Sequence, residues 1–349
     1  MSKVALIAGA TGAAAKRLVE ELVADEWRVV GVSRTPPPSR SRVTYVAADL
    51  GNADALTRAL AGHRDITHVF YTARAAHGES GVEDVGANLA FLRHTIDAAE
   101  RVATNLAHIH LVEGTKWYGM HLGPFATPAR EDQPRHAPPN FYYDQQDLLA
   151  ARQRGAGWTW SASRPNFLCD FAPERSRNAP VVIGTYAALC RELGVPLDFP
   201  GSEACYRALL DVTDARQLAR AMVFLATSDH ARNEAFNVTN GDAYRWCNLW
   251  PKIADFFGIS CGVVRPLTLA DWVADKAPLW QRVVARHGLQ PLALADVALW
   301  PFGDFLLRQG HDNISSTTKI RSIGFHEMVD TESMFLTQIT RYREARVLP

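Results

Sequence analysis

The sequence predicts an α/β fold, a doubly wound parallel sheet followed by a smaller, mainly helical second lobe. Three observations carry that prediction. Short apolar runs alternate with helix-period segments through the first half of the chain, the pattern of parallel strands joined by crossover helices. The chain opens on VALIAGATG, an apolar run that ends in a glycine turn and passes into an amphipathic segment, the start expected of a Rossmann-type sheet. Beyond Arg164 the alternation loosens, Pro and Trp interrupt it, and helical patterns dominate from about Trp250 to the end.

In order, strands are expected at Val4–Ala8, Arg28–Val32, Val43–Ala47, Thr67–Tyr71, His108–Glu113 and Thr159–Arg164, with Glu234–Val238 as a seventh. The helix after the first strand places Leu18, Val19, Leu22 and Val23 on one side and Lys16, Arg17, Glu20 and Glu21 on the other. Pro36–Arg42 is too short to be more than a surface loop. The expected division is a nucleotide-binding domain over residues 1–165, with a returning segment near 205–240, and a substrate-binding lobe over residues 166–349.

Composition narrows the class. Of the 349 residues, 47% are hydrophobic and 21% charged, enough for a packed core. The formal net charge is zero, which argues against nucleic acid as the main partner. Five cysteines lie scattered, without the close pairs of a zinc module or a disulfide framework. The first strand begins near Val4, leaving no room for a signal peptide, and no apolar run reaches about 18 residues. A cytoplasmic protein that does not enter membranes is expected.

GATGAAA sets Gly9 and Gly12 in a tight strand-to-helix turn, so the first helix would aim its amides at a pyrophosphate. Ala15 stands where a third glycine is usual and still permits close helix–strand approach. The second strand ends in Ser33–Arg34 with no carboxylate to hold a ribose diol. Arg34 suits a 2′-phosphate, so NADP(H) is expected over NAD(H), although a solvated surface arginine is a competing reading. Asp49, after the third strand, is placed to meet the adenine edge. Thr11, Ala13, Leu50 and Thr72 complete the expected cofactor lining.

Two residues past the fifth strand suggest chemistry. Lys116 follows that strand directly, and Tyr142 comes 26 positions later. The usual reductase spacing sets Tyr and Lys four apart on one helix, but here the fourth residue after Tyr142 is Gln146 and after Tyr143 is Asp147. Ligands of such sheets bind at the carboxyl ends of the strands. A phenol and an ammonium there suit hydride transfer to a carbonyl compound, with Tyr142 stabilising charge on oxygen.

At this point the chain resembles the progesterone 5β-reductase/iridoid synthase group of atypical, extended short-chain dehydrogenases/reductases. The likeness rests on EGTKWYGMHLGPF around Lys116 and NFYYDQQD around Tyr142. It continues through EAFNVTNGDAYRW, LWPFGDF and GFHEMVDTESMF, and so covers nearly the whole length. The resemblance implies NADPH-dependent reduction of the C=C bond of small enones or enals. It makes Tyr142 and Lys116 catalytic, both also touching cofactor, with Tyr142, Phe125 and Phe302 lining the substrate pocket.

In this sequence Trp117 replaces the group's His, extra residues lie between Tyr118 and Gly123, and Gln146 and Asp147 replace an acidic pair. The altered loop between Lys116 and Phe125 is expected to reshape the pocket roof. Lys116 is expected to lower the Tyr142 pKa and to hold the nicotinamide ribose. Carbonyl reduction, sugar-nucleotide epimerase or dehydratase chemistry, and a non-catalytic NADP-binding redox sensor remain alternatives, and a homodimer is a possibility.

Other signals are weaker. His108 and His110 share one strand face without a carboxylate or cysteine cluster, so core or surface histidines are favoured over a metal pair, and no metal is expected. His326–Glu327 begins a zinc-protease pattern, but Asp330 occupies the second histidine position. No G-x-S-x-G elbow is present. Trp246, Trp250, Trp272, Trp280 and Trp300 read as core and pocket-wall residues of the second lobe.

Overall fold

The computed structural model describes residues 3–75 and 83–349. Its centre is a seven-stranded parallel sheet. The strands are β1 (Val4–Ala8), β2 (Arg28–Ser33), β3 (Val43–Ala47), β4 (His68–Tyr71), β5 (His108–Val112), β6 (Thr159–Pro165) and a seventh, Glu234–Val238. Across the sheet they run Glu234–Val238, β6, β5, β4, β1, β2, β3, all pairs parallel. The chain therefore moves outward from β1 to one edge, then restarts at β4 on the other side. That reversal opens a crevice outside the carboxyl ends of β1 and β4, where such sheets take their ligands. Expected and observed strands agree to within a residue at either end.

The sheet is covered on both faces, which is why its strands read as nearly unbroken apolar runs. Helix α1 (Ala13–Ala24) and the helix Ala215–Thr227 pack together on one face. Helices α2 (Ala53–Leu60), α3 (Val85–Val102) and α4 (Phe141–Gln153) cover the other. The periodicity of α1 misplaces one residue. Arg17, expected on the solvent side, is buried with its Nε 2.8 Å from Asp170 and an Nη 2.7 Å from Glu20. A carboxylate from a distant loop makes burial tolerable there, and helical spacing could not reveal it.

His108 and His110 lie buried on β5 and form a ladder with the hydroxyls of β6. His108 meets Thr159 and Ser161, and His110 meets Ser161 and Ser163, all at 2.8–3.0 Å. Burial holds the His110 ring down at about 3 and keeps His108 well below its ordinary value. These are satisfied core histidines. Among the described residues, no group of His, Cys, Asp and Glu could hold a metal ion, and no helix is long and apolar enough to cross a membrane.

The second lobe has its own core around helix α5 (Ala179–Leu193), buried continuously from Ala179 to Cys190. Trp246, Trp250, Trp280 and Trp300 belong to that core, and Trp272 packs against it.

Candidate active site

A cleft of about 390 Å³ lies outside the carboxyl ends of β1 to β4. It is lined by the turns that leave each strand: Gly9 to Ala13 after β1, Ser33 and Arg34 after β2, Asp49 and Leu50 after β3, and Thr72 to Arg74 after β4. Every expected cofactor residue on these turns therefore meets in one place. Gly9 has φ of +81°, and a side-chain carbon there would stand 2.8 Å from the Ala73 backbone, so only glycine lets the β1 and β4 turns touch. Thr72 reinforces that contact by donating its hydroxyl to the Ala8 carbonyl at 2.8 Å. Gly12 is the N-cap of α1 and has no side chain to consume the free amides of the first turn.

The residues of this cleft fit a dinucleotide. The bare α1 N-terminus suits a pyrophosphate. The Ser33 hydroxyl is buried without a hydrogen-bond partner, and Arg34 stands exposed at the rim with no ion pair among the described residues. Asp49 uses one carboxylate oxygen to accept from the Gly51 amide at 2.9 Å, which fixes its turn beside the cleft.

Lys116 and Tyr142 come together further along the same strand ends. Gly114 follows β5, and a one-turn 3₁₀ helix, Thr115–Tyr118, carries Lys116. Tyr142 is the second residue of α4, whose N-cap is Asn140. Asn140 joins the two: its carbonyl oxygen accepts from the Tyr142 amide at 3.1 Å while its amide donates to the Lys116 carbonyl at 2.8 Å. The 26-residue gap thus closes through one capping side chain. The hydroxyl of Tyr142, a buried residue, has no hydrogen-bond partner among the described residues. At Gly114 a side-chain carbon would lie 3.1 Å from that hydroxyl and 3.5 Å from the Pro165 carbonyl. The phenol therefore sits where β5 and β6 end. Tyr143 is committed elsewhere, donating to the Trp117 carbonyl at 2.5 Å and accepting from the His136 amide at 2.7 Å. Only the first tyrosine of the pair is available.

The electrostatics differ from the expectation. Burial pushes the Tyr142 phenol well above its ordinary value; Arg74 pulls it down, and Glu83 and Glu113 push it up. Lys116 is not among the charges that lower it; its ammonium is paired with Glu83 at 2.7 Å. The same Glu83 oxygen also takes Arg74 at 2.6 Å. Tyr142 is thus a neutral donor throughout the physiological range.

The Trp117 ring packs among two arginines and Tyr143. It lies 3.6 Å from the Arg164 guanidinium and 5.2 Å from that of Arg135, with Tyr143 edge-on at 4.7 Å. Arg164, buried, contacts Glu113 at 2.8 Å, the Tyr118 hydroxyl at 3.1 Å and Gln146 at 3.1 Å. Burial alone would lower the Arg164 guanidinium, but Glu113 and Tyr118 hold it above its ordinary value. Asp147, the other departure, forms a two-pronged pair with Arg135 at 2.6 and 2.7 Å. Tyr118 donates to Asn237 at 2.6 Å, and Thr115 donates to Asn166 at 3.0 Å. Every residue of the Thr115–Tyr118 turn is anchored.

Phe125 packs on this aromatic cluster and stacks with Tyr118, centroids 6.5 Å apart. Phe302 packs in the core of the second lobe, against Phe167 at 6.4 Å. Sequence reading missed Arg74, Glu83, Glu113, Arg164 and Asn140. Asn140 alone carried a local signal, as an Asn directly before a helical run.

Seven parallel strands, helices on both faces and a glycine-turn cleft define a short-chain dehydrogenase/reductase type of fold. Solved structures agree on that fold. A short-chain dehydrogenase/reductase superfamily protein from Agrobacterium tumefaciens with bound NAD superposes at a TM-score of 0.69 with 17% identity, over 99% of this chain and 98% of that one. UDP-glucose 4-epimerase of Thermus thermophilus complexed with NAD superposes at 0.66 with 16% identity, over 98% and 99%. Sequence identifies the group more closely. Residues 48–349 match the PRISE-like Rossmann-fold domain, and the chain belongs to that family. An (S)-8-oxocitronellyl enol synthase of Nepeta racemosa is 34% identical over 99% of this chain and 91% of the relative. A 3-oxo-Delta(4,5)-steroid 5-beta-reductase of Arabidopsis thaliana is 33% identical over 99% and 93%.

Proposed function

We propose that the protein is an NADPH-dependent oxidoreductase that reduces the C=C bond of α,β-unsaturated carbonyl compounds, with Tyr142 and Lys116 as its catalytic residues. The observation that carries this reading is the neutral hydroxyl of the buried residue Tyr142 at the ends of β5 and β6, without a hydrogen-bond partner among the described residues and tied through Asn140 to the Lys116 turn. The named relatives, an enol synthase and a steroid 5β-reductase, support C=C chemistry.

When bound, the reduced nicotinamide supplies the hydride. Addition at the β-carbon of an enone sends charge to the carbonyl oxygen as an enolate. Tyr142 meets that oxygen with its O–H, a pre-positioned donor worth about 3–4 kcal/mol in comparable sites. Because the phenol is held neutral, it donates a hydrogen bond without first having to gain a proton. Lys116 would hold the nicotinamide ribose with its ammonium, which Glu83 fixes through their 2.7 Å contact. Gly9, Thr11, Gly12, Ala13 and Thr72 would hold the diphosphate side of the cofactor. Ser33 and Arg34 would hold a 2′-phosphate, with Asp49 and Leu50 at the adenine. Phe125 and Phe302 are proposed substrate contacts.

NADPH carrying deuterium at the transferable C4 position, incubated with cyclic and linear enones, tests this directly. NMR of the product is expected to find deuterium on the β-carbon with the carbonyl intact. Deuterium on the carbinol carbon would make the protein a carbonyl reductase instead.

A further inference from the structure

The glycine turn that opens helix α1 is also reached from the second lobe. A loop of that lobe, residues 170–178, is fastened to α1 by two successive cations of the helix. Lys16 pairs with Glu174 at 2.8 Å. Arg17 pairs with Asp170 at 2.8 Å and donates to the Phe171 carbonyl at 2.7 Å. From the other side Tyr342, on the last helix (Thr331–Glu344), accepts from the Ala172 amide at 3.0 Å and from the Asn178 side chain at 2.8 Å.

So held, the loop brings Arg175 onto the turn, where its guanidinium donates to the Thr11 carbonyl. Thr11 lines the cofactor cleft together with Gly12 and Ala13. The amides of Ala13, Ala14 and Ala15 have no hydrogen-bond partner among the described residues, and the first turn of α1 holds no acidic residue. A guanidinium thus stands beside a row of free donors at the positive end of a helix of 12 residues. Together they offer charge and N–H groups to one anion.

Arg175 has donors to spare. Its fork carries several N–H groups, and the carboxylate it meets, Glu174, lies 4.0 Å from its Nε and is already bonded to Lys16. Burial lowers the guanidinium from its ordinary value, and Glu174, Asp170 and Tyr342 offset that only in part. A cation partly stripped of water, with its fork unfilled, is held at a cost that an arriving phosphate removes. A plain tether between the lobes needs none of this, since Lys16 and Arg17 already supply one.

We propose that Arg175 is a contact from the second lobe to the cofactor's diphosphate, which it holds against the bare N-terminus of α1. The proposal rests on the dinucleotide reading of the cleft but not on enone chemistry. Its target is common to NADP and NAD, so Arg175 adds affinity without choosing between them, unlike Arg34.

Calorimetric titration of the full chain with NADP, NAD and adenosine 2′-monophosphate, which lacks the diphosphate, tests this without turnover. Arg175→Gln is expected to raise Kd for both dinucleotides by the same factor, about 10- to 100-fold, the range for hydrogen bonds to a charged group. Adenosine 2′-monophosphate is expected to bind the variant as it binds the unaltered protein. Arg175→Lys should recover part of the loss, since the charge remains and the fork is gone. Unchanged dinucleotide affinity in Arg175→Gln would overturn the proposal. So would a loss confined to NADP, which would make Arg175 a 2′-phosphate contact, or an equal loss for adenosine 2′-monophosphate, which would mean that the substitution disturbs the turn. Binding of neither dinucleotide by the unaltered protein would sink the cofactor reading and this proposal together. Arg175-dependent binding with no reduction of any enone would leave the role of Arg175 standing and sink the enone-reductase reading alone.

Discussion

The cofactor cleft and the Lys116–Tyr142 centre stand side by side along one row of strand ends, yet they are assembled differently. The cleft draws on turns within residues 9–74, each leaving its own strand, and it is made largely of backbone, glycine and small side chains. The proposed catalytic centre gathers residues 83, 114–118, 140–143, 164–166 and 237, joined by side-chain bonds across long stretches of sequence. A site built from backbone at strand ends tolerates change in most side chains. One built from a buried polar network does not, since losing a single partner leaves a desolvated group behind.

The sharpest way to break that contrast is Arg164→Met. It removes the partner of the fully buried Glu113 and the stacking plate under Trp117. The expected loss is about 3–5 kcal/mol of unfolding free energy, measured by urea denaturation. A loss no larger than that of an exposed arginine would mean the network does not hold the turn. Arg34→Ala probes the cleft half and should act on affinity alone. KM for NADPH is expected to rise about 10- to 100-fold, with KM for NADH nearly unchanged and the denaturation midpoint held. A matching rise for both nucleotides would remove Arg34 from phosphate recognition.

The smallest effect concerns the sheet beneath both halves. His108 and His110 are held neutral by burial, so the unfolded chain binds more protons than the folded one below the ordinary histidine value. Stability is therefore full above about pH 6.5 and falls as pH drops from there toward about 3, at about 1–2 kcal/mol per histidine by pH 5. Unfolding midpoints between pH 7 and 5 check the slope, which should be shallower in His110→Asn.

The same contrast explains what could be read beforehand. The strands, the glycine turn, and Ser33, Arg34, Asp49 and Thr72 were legible because each follows from spacing along one short segment. Lys116 and Tyr142 were found only through flanking motifs, since the usual four-residue spacing fails. What holds them was not legible: Asn140 bridging two segments, Glu83 taking the Lys116 charge, and Arg164 under Trp117 are consequences of strand order. The expected lowering of the Tyr142 pKa comes from Arg74 rather than from Lys116, which spacing along the chain does not reveal. Sequence supplied the ammonium but not the carboxylate that meets it. Arg17 misled in the same way, its partner Asp170 lying in a loop beyond β6.

The most direct test of the account is kcat for Tyr142→Phe with an enone at saturating NADPH, alongside the affinity of the variant for NADPH. Removal of that single hydroxyl is expected to lower kcat by about 10²- to 10³-fold while nucleotide affinity stays within about twofold. An unchanged kcat would contradict the assignment of the phenol to the developing enolate.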